Sequence, residues 1–348
     1  MLDIHNMAYA NQPPGLSGSI RTYPEDFIVD EQFAFEFDGE GEHILLHIQK
    51  RNTNTEWLAK QIVKLSGVRK VDVSYAGLKD RNALTTQWFS VWLPGKEGPD
   101  WSVLNDENIR VLEVTRHSRK LRRGSLRGNR FKIVVRDIEG DATDLPSRIE
   151  NIRKIGVPNY FGEQRFGHNG MNLEKAEAMF NGVRIKDRFK RSMYLSAARS
   201  IIFNQLLSMR VENNTWFKAL PGDVMLLNNS HSYFIVDVVD DVITQRLDEH
   251  DIHPSGVLWG TGELLSRAEV NFTERKLTEL FPLFTSGLEE KGLKQERRSL
   301  RLSVNELEYD YNENNKILTV LFYLPAGGYA TSVLREMVNL KSSSDCNY

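Results

Sequence analysis

The sequence predicts an α+β protein of two domains, with a largely antiparallel mixed sheet in the first. Three observations predict it. Strand-like and helix-like stretches follow one another without regular βαβ units. The 348 residues exceed the roughly 250 to 300 at which single cores stop growing. The texture also changes at Gly156 and reverts near Arg301, as though one segment were inserted into another, which costs little because closure entropy grows slowly with loop length. With 40% apolar and 26% charged residues, and with 17 Phe, 11 Tyr and 6 Trp to fill a core, the composition is that of an ordinary globular chain.

The first twenty residues, with Pro13, Pro14 and Gly15, read as an irregular arm. Strands are predicted at Asp26–Phe33 and His43–Gln49, the latter with Ile44, Leu46 and Ile48 on one face, although Leu45 breaks the alternation. Thr53 and Glu56 have capping-box spacing and open a helix that turns Trp57, Leu58, Ile62 and Leu65 inward and ends at Gly67. Val71, Val73 and Tyr75 alternate as a strand, and Thr85–Leu93 forms another, so the segment GLKDRNA lies on a loop between strands. Strands at Ile109–Thr115 and Phe131–Arg136 flank an extended loop or ribbon, and a helix spans Leu145–Ile155.

Beyond Gly156 the sequence predicts helices at Leu173–Phe180 and Tyr194–Asn213, a hairpin over Val224–Val239 turned at Asn229, Ser230 and His231, and two helical stretches between Glu263 and Gly287. Strands at Arg301–Glu306 and Ile317–Leu324 and a helix at Ala330–Leu340 follow. The simplest division gives a first domain of residues 1–156 and 301–348, with 157–300 as the insertion.

Charge is uneven beneath a net −2. The stretch Arg116–Lys132 holds eight Lys or Arg and no acid, whereas Asp237–Asp251 holds six acids and one arginine. RIKDRFKR, at 184–191, adds five basic residues and one acid. Such polarity suits one structured polyanion rather than indiscriminate coating of nucleic acid. From the first cluster Arg116, Arg119, Lys120, Arg122, Arg123, Arg127 and Arg130, and from the second Arg184, Lys186, Arg188, Lys190 and Arg191, are candidates for phosphate contact; solvated basic faces are the competing reading. The single cysteine, Cys346, excludes an internal disulfide framework and a Cys-based zinc site and fits a reducing, cytoplasmic setting. No signal-peptide pattern opens the chain, and no run of about 20 apolar residues predicts a membrane span.

Phosphate-cradling GxxxxGK[ST], the Rossmann glycine fingerprint, HExxH and CxxC are all absent. His43 and His47 share a strand face roughly 13 Å apart, too far for one metal ion. A carboxylate is then the leading candidate catalyst. Asp80 lies between Lys79 and Arg81, whose charges favour its ionised form, so it would serve as nucleophile or base. The competing reading is a solvated aspartate in a turn.

GLKDRNALTTQ at 77–87, with RTYPEDF at 21–27, GNRF at 128–131, NYFGEQRFG at 159–167 and LPAGGYATS at 324–332, resembles the TruD family of tRNA pseudouridine synthases over essentially the whole chain. The resemblance implies a pseudouridine synthase catalytic domain interrupted by a TruD-specific α/β insertion domain. It implies conversion of uridine 13 of tRNA to pseudouridine, with Asp80 as the essential carboxylate and neither metal nor organic cofactor. It further implies that Phe27 lies near the substrate, that Arg21 pairs with Asp80, with Lys79 and Arg81 as alternatives, and that Asn129 contacts the uracil edge or fixes the loop. Gln87 is expected to support rather than react. Tyr329 stands where the family more often has phenylalanine, which keeps the stacking face and adds a hydroxyl that needs a partner when buried. For Phe27 and Tyr329 the competing reading is core packing; NYFGEQRFG reads as hinge core between domains or, through Arg165 or Asn159, as direct RNA contact. The expected partner is tRNA, with no membrane and no obligate protein partner, and the expected state is a monomer. An RNA-binding protein without chemistry and a carboxylate glycosidase are the alternatives; the latter needs a second placed carboxylate that the sequence does not single out.

Overall fold

The computed structural model describes residues 7–33, 35–122, 124–228, 230 and 232–341. Arg123, the turn residues Asn229 and His231, and Cys346 lie outside the described residues. The chain forms two compact units. One comprises the described residues through Pro14, Thr143–Ser303 and Gly328–Met337; the other comprises Gly15–Ala142, Val304–Gly327 and the described residues from Val338 onward.

The second unit is built on a ten-stranded mixed sheet. In chain order its first seven strands are β1 (Leu16–Ile20), β2 (Phe27–Phe33), β3 (His43–Arg51), β4 (Val73–Tyr75), β5 (Leu84–Trp92), β6 (Ile109–His117) and β7 (Leu126–Gly140). Strands Asn305–Asn312 and Ile317–Pro325 extend the sheet beyond β7, so that the order runs through them to β7, β2, β5, β3 and β6. Most pairs are antiparallel; β2 and β5 run parallel, with Val29 opposite Thr85. The α+β class expected from the sequence is the class observed.

Helix α1 (Thr55–Ser66) covers one sheet face, placing Leu58 and Ile62 on Ile44, Leu46, Ile48, Phe89 and Val91. Burying each such side chain contributes about 1.5–3 kcal/mol. Leu45 points to the opposite face, where it packs with Trp88 and Leu121. Only at Leu45 is the second face of β3 buried; His43, His47, Gln49 and Arg51, which share that face, are polar and half-buried. Gly128 in β7 is required by proximity, since a Cβ there would lie 2.2 Å from the Leu324 carbonyl oxygen of the neighbouring strand.

Several elements differ from expectation. Asn54, not Thr53, caps α1: its side chain accepts from the Glu56 and Trp57 amides at 2.8 and 3.2 Å, whereas Thr53 Oγ1 donates to the Arg51 carbonyl. Trp57 is 46% exposed. Gly67 does end the helix, with φ of 68°, a backbone that glycine adopts without strain. Val71 belongs to a 3₁₀ turn, Lys70–Asp72, not to a strand. Of the loop or ribbon expected after β6, the structure has a loop between His117 and Leu126, and the strands it joins are not neighbours: β6 pairs with β3, and β7 with β2 and Ile317–Pro325. The strand expected at Arg301–Glu306 is two: Arg301–Leu302 pairs with Val157–Pro158, and Asn305 begins the strand beside Ile317–Pro325. The last expected helix covers only Ala330–Leu334, after which Asn339–Leu340 joins β1 in parallel.

The first unit packs helices Met171–Phe180, Arg188–Glu212, Ala268–Leu280 and Pro282–Glu290 around Phe203, Trp216 and Leu277. A four-stranded sheet includes Val224–Leu227, Tyr233–Ile235 and Ile252–Leu258. Helix Arg188–Glu212 begins six residues before the expected Tyr194 (188 to 194), so that Arg188, Lys190 and Arg191 fall in its first turn. Cations there oppose the helix dipole; Asp187 compensates as N-cap, accepting from the Phe189 and Lys190 amides. No helix among the described residues is long and apolar enough to cross a membrane.

Replacing Asn54 by alanine is expected to lower stability by about 1 kcal/mol, while Thr53→Ala leaves the cap intact and changes it by less than about 0.5 kcal/mol. Urea unfolding midpoints of the two variants measure the difference.

Candidate active site

Asp80 lies on the connection from β4 to β5, and buried polar side chains hold that connection from below. Gln87 of β5 is fully buried; its Oε1 accepts from Thr55 Oγ1 at 2.9 Å and its Nε2 donates to the Gly77 carbonyl at 3.4 Å. Thr55, the first residue of α1, in turn accepts from the Lys79 amide at 3.2 Å. Lys50, fully buried at the end of β3, donates to the carbonyls of Thr53 at 2.7 Å and of Asp80 itself at 3.2 Å. Burial pushes the Lys50 ammonium down to about 8, against the pull of nearby Asp80.

Lys79 turns inward. Its ammonium meets Asn129 Oδ1 at 2.6 Å and Glu31 Oε1 at 3.0 Å. Sheet register makes this clamp, because Glu31 of β2 and Asn129 of β7 are cross-strand partners. Glu31 is held by the Trp88 amide at 3.0 Å, and burial raises its carboxyl above the ordinary value despite Lys79. A charge so enclosed must be paired.

The carboxylate of Asp80 is paired from a third direction. Arg21 Nη2 meets Asp80 Oδ2 at 2.7 Å. Arg21 has a left-handed backbone, φ 61°, at a cost of about 1 kcal/mol or more for a residue with a Cβ. Its guanidinium lies over the Phe27 ring, 4.2 Å from the centroid. Among the described residues no hydrogen bond reaches Asp80 Oδ1, and the side chain is 34% exposed. One oxygen is therefore fixed and the other is available to a reacting partner.

Of the expected partners for Asp80, Arg21 is engaged, Lys79 is committed to Glu31 and Asn129, and Arg81 is exposed. Asn129 holds the loop through Lys79. Phe27 is 2% exposed and packs edge-on against Phe131, so its ring is core with Arg21 across one face. Tyr329 belongs to the other unit, where its hydroxyl meets Arg165 at 2.5 Å and its ring meets Phe161 edge-on. Asn159 and Arg298 complete that group: Arg298 donates to Asn159 Oδ1 at 2.6 Å and stacks over Phe161 at 4.1 Å.

The basic candidates divide. Arg116 is spent on the carbonyls of Gly41 and Lys96, Lys120 donates to the Val71 carbonyl, and Arg130 pairs with Glu306. Arg119, Arg122 and Arg127 are exposed, as are Arg184, Lys186, Arg188, Lys190 and Arg191. Glu31, Lys50 and Thr55 were missed by sequence reasoning. For Lys50 a signal existed: Ile44, Leu46 and Ile48 lead by twos to a lysine on the buried face. No group of three or more His, Cys, Asp or Glu among the described residues is placed to hold a metal ion.

Fold and site together define an α+β protein built around one positioned aspartate. Comparison with known proteins gives that class a family. The description tRNA pseudouridine synthase D (TruD) matches residues 3–182 and 172–337, and the chain belongs to this family. It is 47% identical over 339 residues to the tRNA pseudouridine synthase D of Nitrosococcus oceani, spanning 97% of this chain and 95% of that one. It is 50% identical over 322 residues to that of Methylococcus capsulatus, spanning 92% and 91%. A crystal structure of a Methanosarcina mazei protein assigned to tRNA pseudouridine synthase D (TruD) has the same fold, with a TM-score of 0.74 at 23% identity over 95% of this chain and 96% of that one.

Two predictions follow from the buried cations. Lys79→Met leaves Glu31 unpaired and is expected to cost about 3–5 kcal/mol, with part recovered in the Lys79→Met/Glu31→Gln double variant; denaturant unfolding measures both. Lys50 is expected to titrate near 8 by side-chain NMR. Its folded value lies below the unfolded one, so between pH 8 and 10.5 the unfolded state binds more protons and this group alone makes stability rise with pH. Loss of that contribution in Lys50→Met checks the sign.

Proposed function

We propose that the protein isomerises uridine to pseudouridine in tRNA, at uridine 13, with Asp80 as the essential carboxylate. The observation that carries this reading is the half-committed carboxylate, with Oδ2 on Arg21 and Oδ1 without a hydrogen-bond partner among the described residues, in a chain of the TruD family. The reaction breaks the bond from ribose C1′ to uracil N1, turns the base, and joins C1′ to C5; the C5 proton is lost and N1 gains one, so the change is redox-neutral. Asp80 either attacks C1′ or removes a ribose proton on a route through a glycal, and both require an ionised carboxylate within bonding reach of the nucleotide.

The Arg21 guanidinium fixes the direction of the carboxylate. Lys50, Thr55 and Gln87 keep the loop from drifting, and Lys79 anchors it to Glu31 and Asn129. The target base must leave its stack at a cost of a few kcal/mol, which contacts to the flipped nucleotide offset.

Asp80→Asn and Asp80→Ala are expected to abolish pseudouridine formation while retaining RNA binding; Arg21→Ala is expected to slow it by about 10²-fold, less for Arg21→Lys. Site-resolved detection of pseudouridine on unmodified tRNA, at saturating protein, reads each outcome. Product from the Asp80→Ala variant sinks the assignment of Asp80, and product at another uridine sinks that of position 13.

A further inference from the structure

The unit that carries Asp80 has a concave site away from that residue. A cavity of about 790 Å³ opens between the β2–β3 connection and the basic segment after β6, lined by Phe35, Asp38, His117, Arg119, Lys120 and Arg122. Its size is that of a small-ligand site. Phe35 is 40% exposed and stacks on His117, with centroids 5.5 Å apart and planes 13° from parallel. His117 is fixed by Asp38 at 2.8 Å, and both Asp38 oxygens also accept from the Ser118 amide at 3.1 Å. Hydrogen bonds from Ser118 and His117 hold the Asp38 carboxyl below the usual carboxylate range, so its charge is committed to the wall of the cavity. Glu36, also at the cavity, is exposed. Arg119 and Arg122 make no side-chain hydrogen bond or ion pair with the described residues, and Lys120 uses one donor on the Val71 carbonyl.

β3 measures the distance from this cavity to Asp80. His117 is the cross-strand partner of His43 at the start of β3, and Lys50, seven steps further (43 to 50), touches the Asp80 carbonyl. At about 3.3 Å per residue the separation along the strand is about 23 Å, or about seven stacked nucleotides at 3.4 Å each and fewer where a strand is extended. The basic segment bridges that span. Leu121 takes a hydrogen bond from Ser74 and gives one to Ser90, and the Gly124 amide reaches the Ala76 carbonyl just ahead of Gly77. The backbone of the basic segment thus runs from the cavity toward the loop that bears Asp80.

A flat exposed ring beside unpaired guanidinium groups is the chemistry that recognises an unpaired nucleotide: the base stacks and the phosphate is held, with little demand on sequence. We infer that this cavity receives one unstacked nucleotide of the RNA strand, a few nucleotides from the one presented to Asp80, with its base on Phe35 and its phosphate on Arg119 and Arg122. The inference rests on the proposed RNA substrate and adds a second anchoring point on it. An acidic peptide would engage the cations but would have no need of the ring.

The test uses the full chain and unmodified full-length tRNA carrying 2-aminopurine at one loop position at a time. One position other than that of the target uridine is expected to change fluorescence on binding. Phe35→Ala is expected to abolish that change and weaken RNA binding about tenfold, while Phe35→Tyr keeps both and shows that the ring, not the fold, is responsible. Arg119→Ala/Arg122→Ala is expected to weaken binding and to lower the salt slope by about two. Unchanged affinity in Phe35→Ala, or no Phe35-dependent position, overturns the inference, as does loss of affinity in the arginine variant alone. Uridine or adenosine monophosphate binding in place of RNA, with RNA affinity untouched by Phe35→Ala, also overturns it. Pseudouridine formation is assayed on the same tRNA: if the intact protein makes none, the functional reading fails while the fluorescence still decides the cavity.

Discussion

The arrangement around Asp80 depends on an ammonium that has nowhere to go. Lys79 immediately precedes Asp80, yet its side chain is sent beneath the loop, where Glu31 and Asn129 receive it. A buried charge without those partners would cost several kcal/mol, so the loop conformation that satisfies Lys79 is strongly preferred over others. That conformation leaves Asp80 facing outward, toward Arg21 and solvent. The chain alternates an anchoring residue and a presented one, and the pairing register of β2 and β7 supplies the socket.

The remaining supports act on backbone rather than on the carboxylate. Lys50, Thr55 and Gln87 satisfy the Asp80 carbonyl, the Lys79 amide and the Gly77 carbonyl, each a polar group that an irregular loop would otherwise leave unpaired. They come from the end of β3, the first residue of α1 and the middle of β5, so three regular elements converge on four consecutive residues (77 to 80). Placement on rigid elements is what gives a site sub-ångström definition. Arg21 differs, since it reaches the carboxylate from a strained backbone and over an aromatic face, which makes the ion pair directional.

The sequence foretold the regular elements well where periodicity was local and poorly where structure depended on distant partners. Helix Leu145–Ile155 and strand Ile317–Pro325 follow from their own patterns. Strand Ile252–Leu258 was hidden by Pro254 and Gly256, and it forms because Pro254 offers only its carbonyl, which accepts from the Leu300 amide at 2.8 Å. The helix expected over Ala330–Leu340 stops at Leu334, because Asn339 finds its partner in Ser17, some 320 residues earlier in the chain (339 − 17 = 322). In the site, Asp80, Arg21, Gln87 and Asn129 were named from motifs, but which cation meets Asp80 was settled only by register. Glu31 and Thr55 lie outside those motifs or look ordinary, and their importance is visible only once β2, α1 and β5 are assembled.

The central claim is that the buried scaffold sets the position of Asp80, and Lys50 tests it most directly because it touches the backbone and not the carboxylate. Single-turnover pseudouridine formation by Lys50→Met at saturating protein, followed across pH to separate the lost charge near Asp80 from lost positioning and with tRNA affinity measured alongside, reads that effect. The account predicts a rate lower by about 10²-fold with affinity unchanged; a rate equal to that of the intact protein contradicts it.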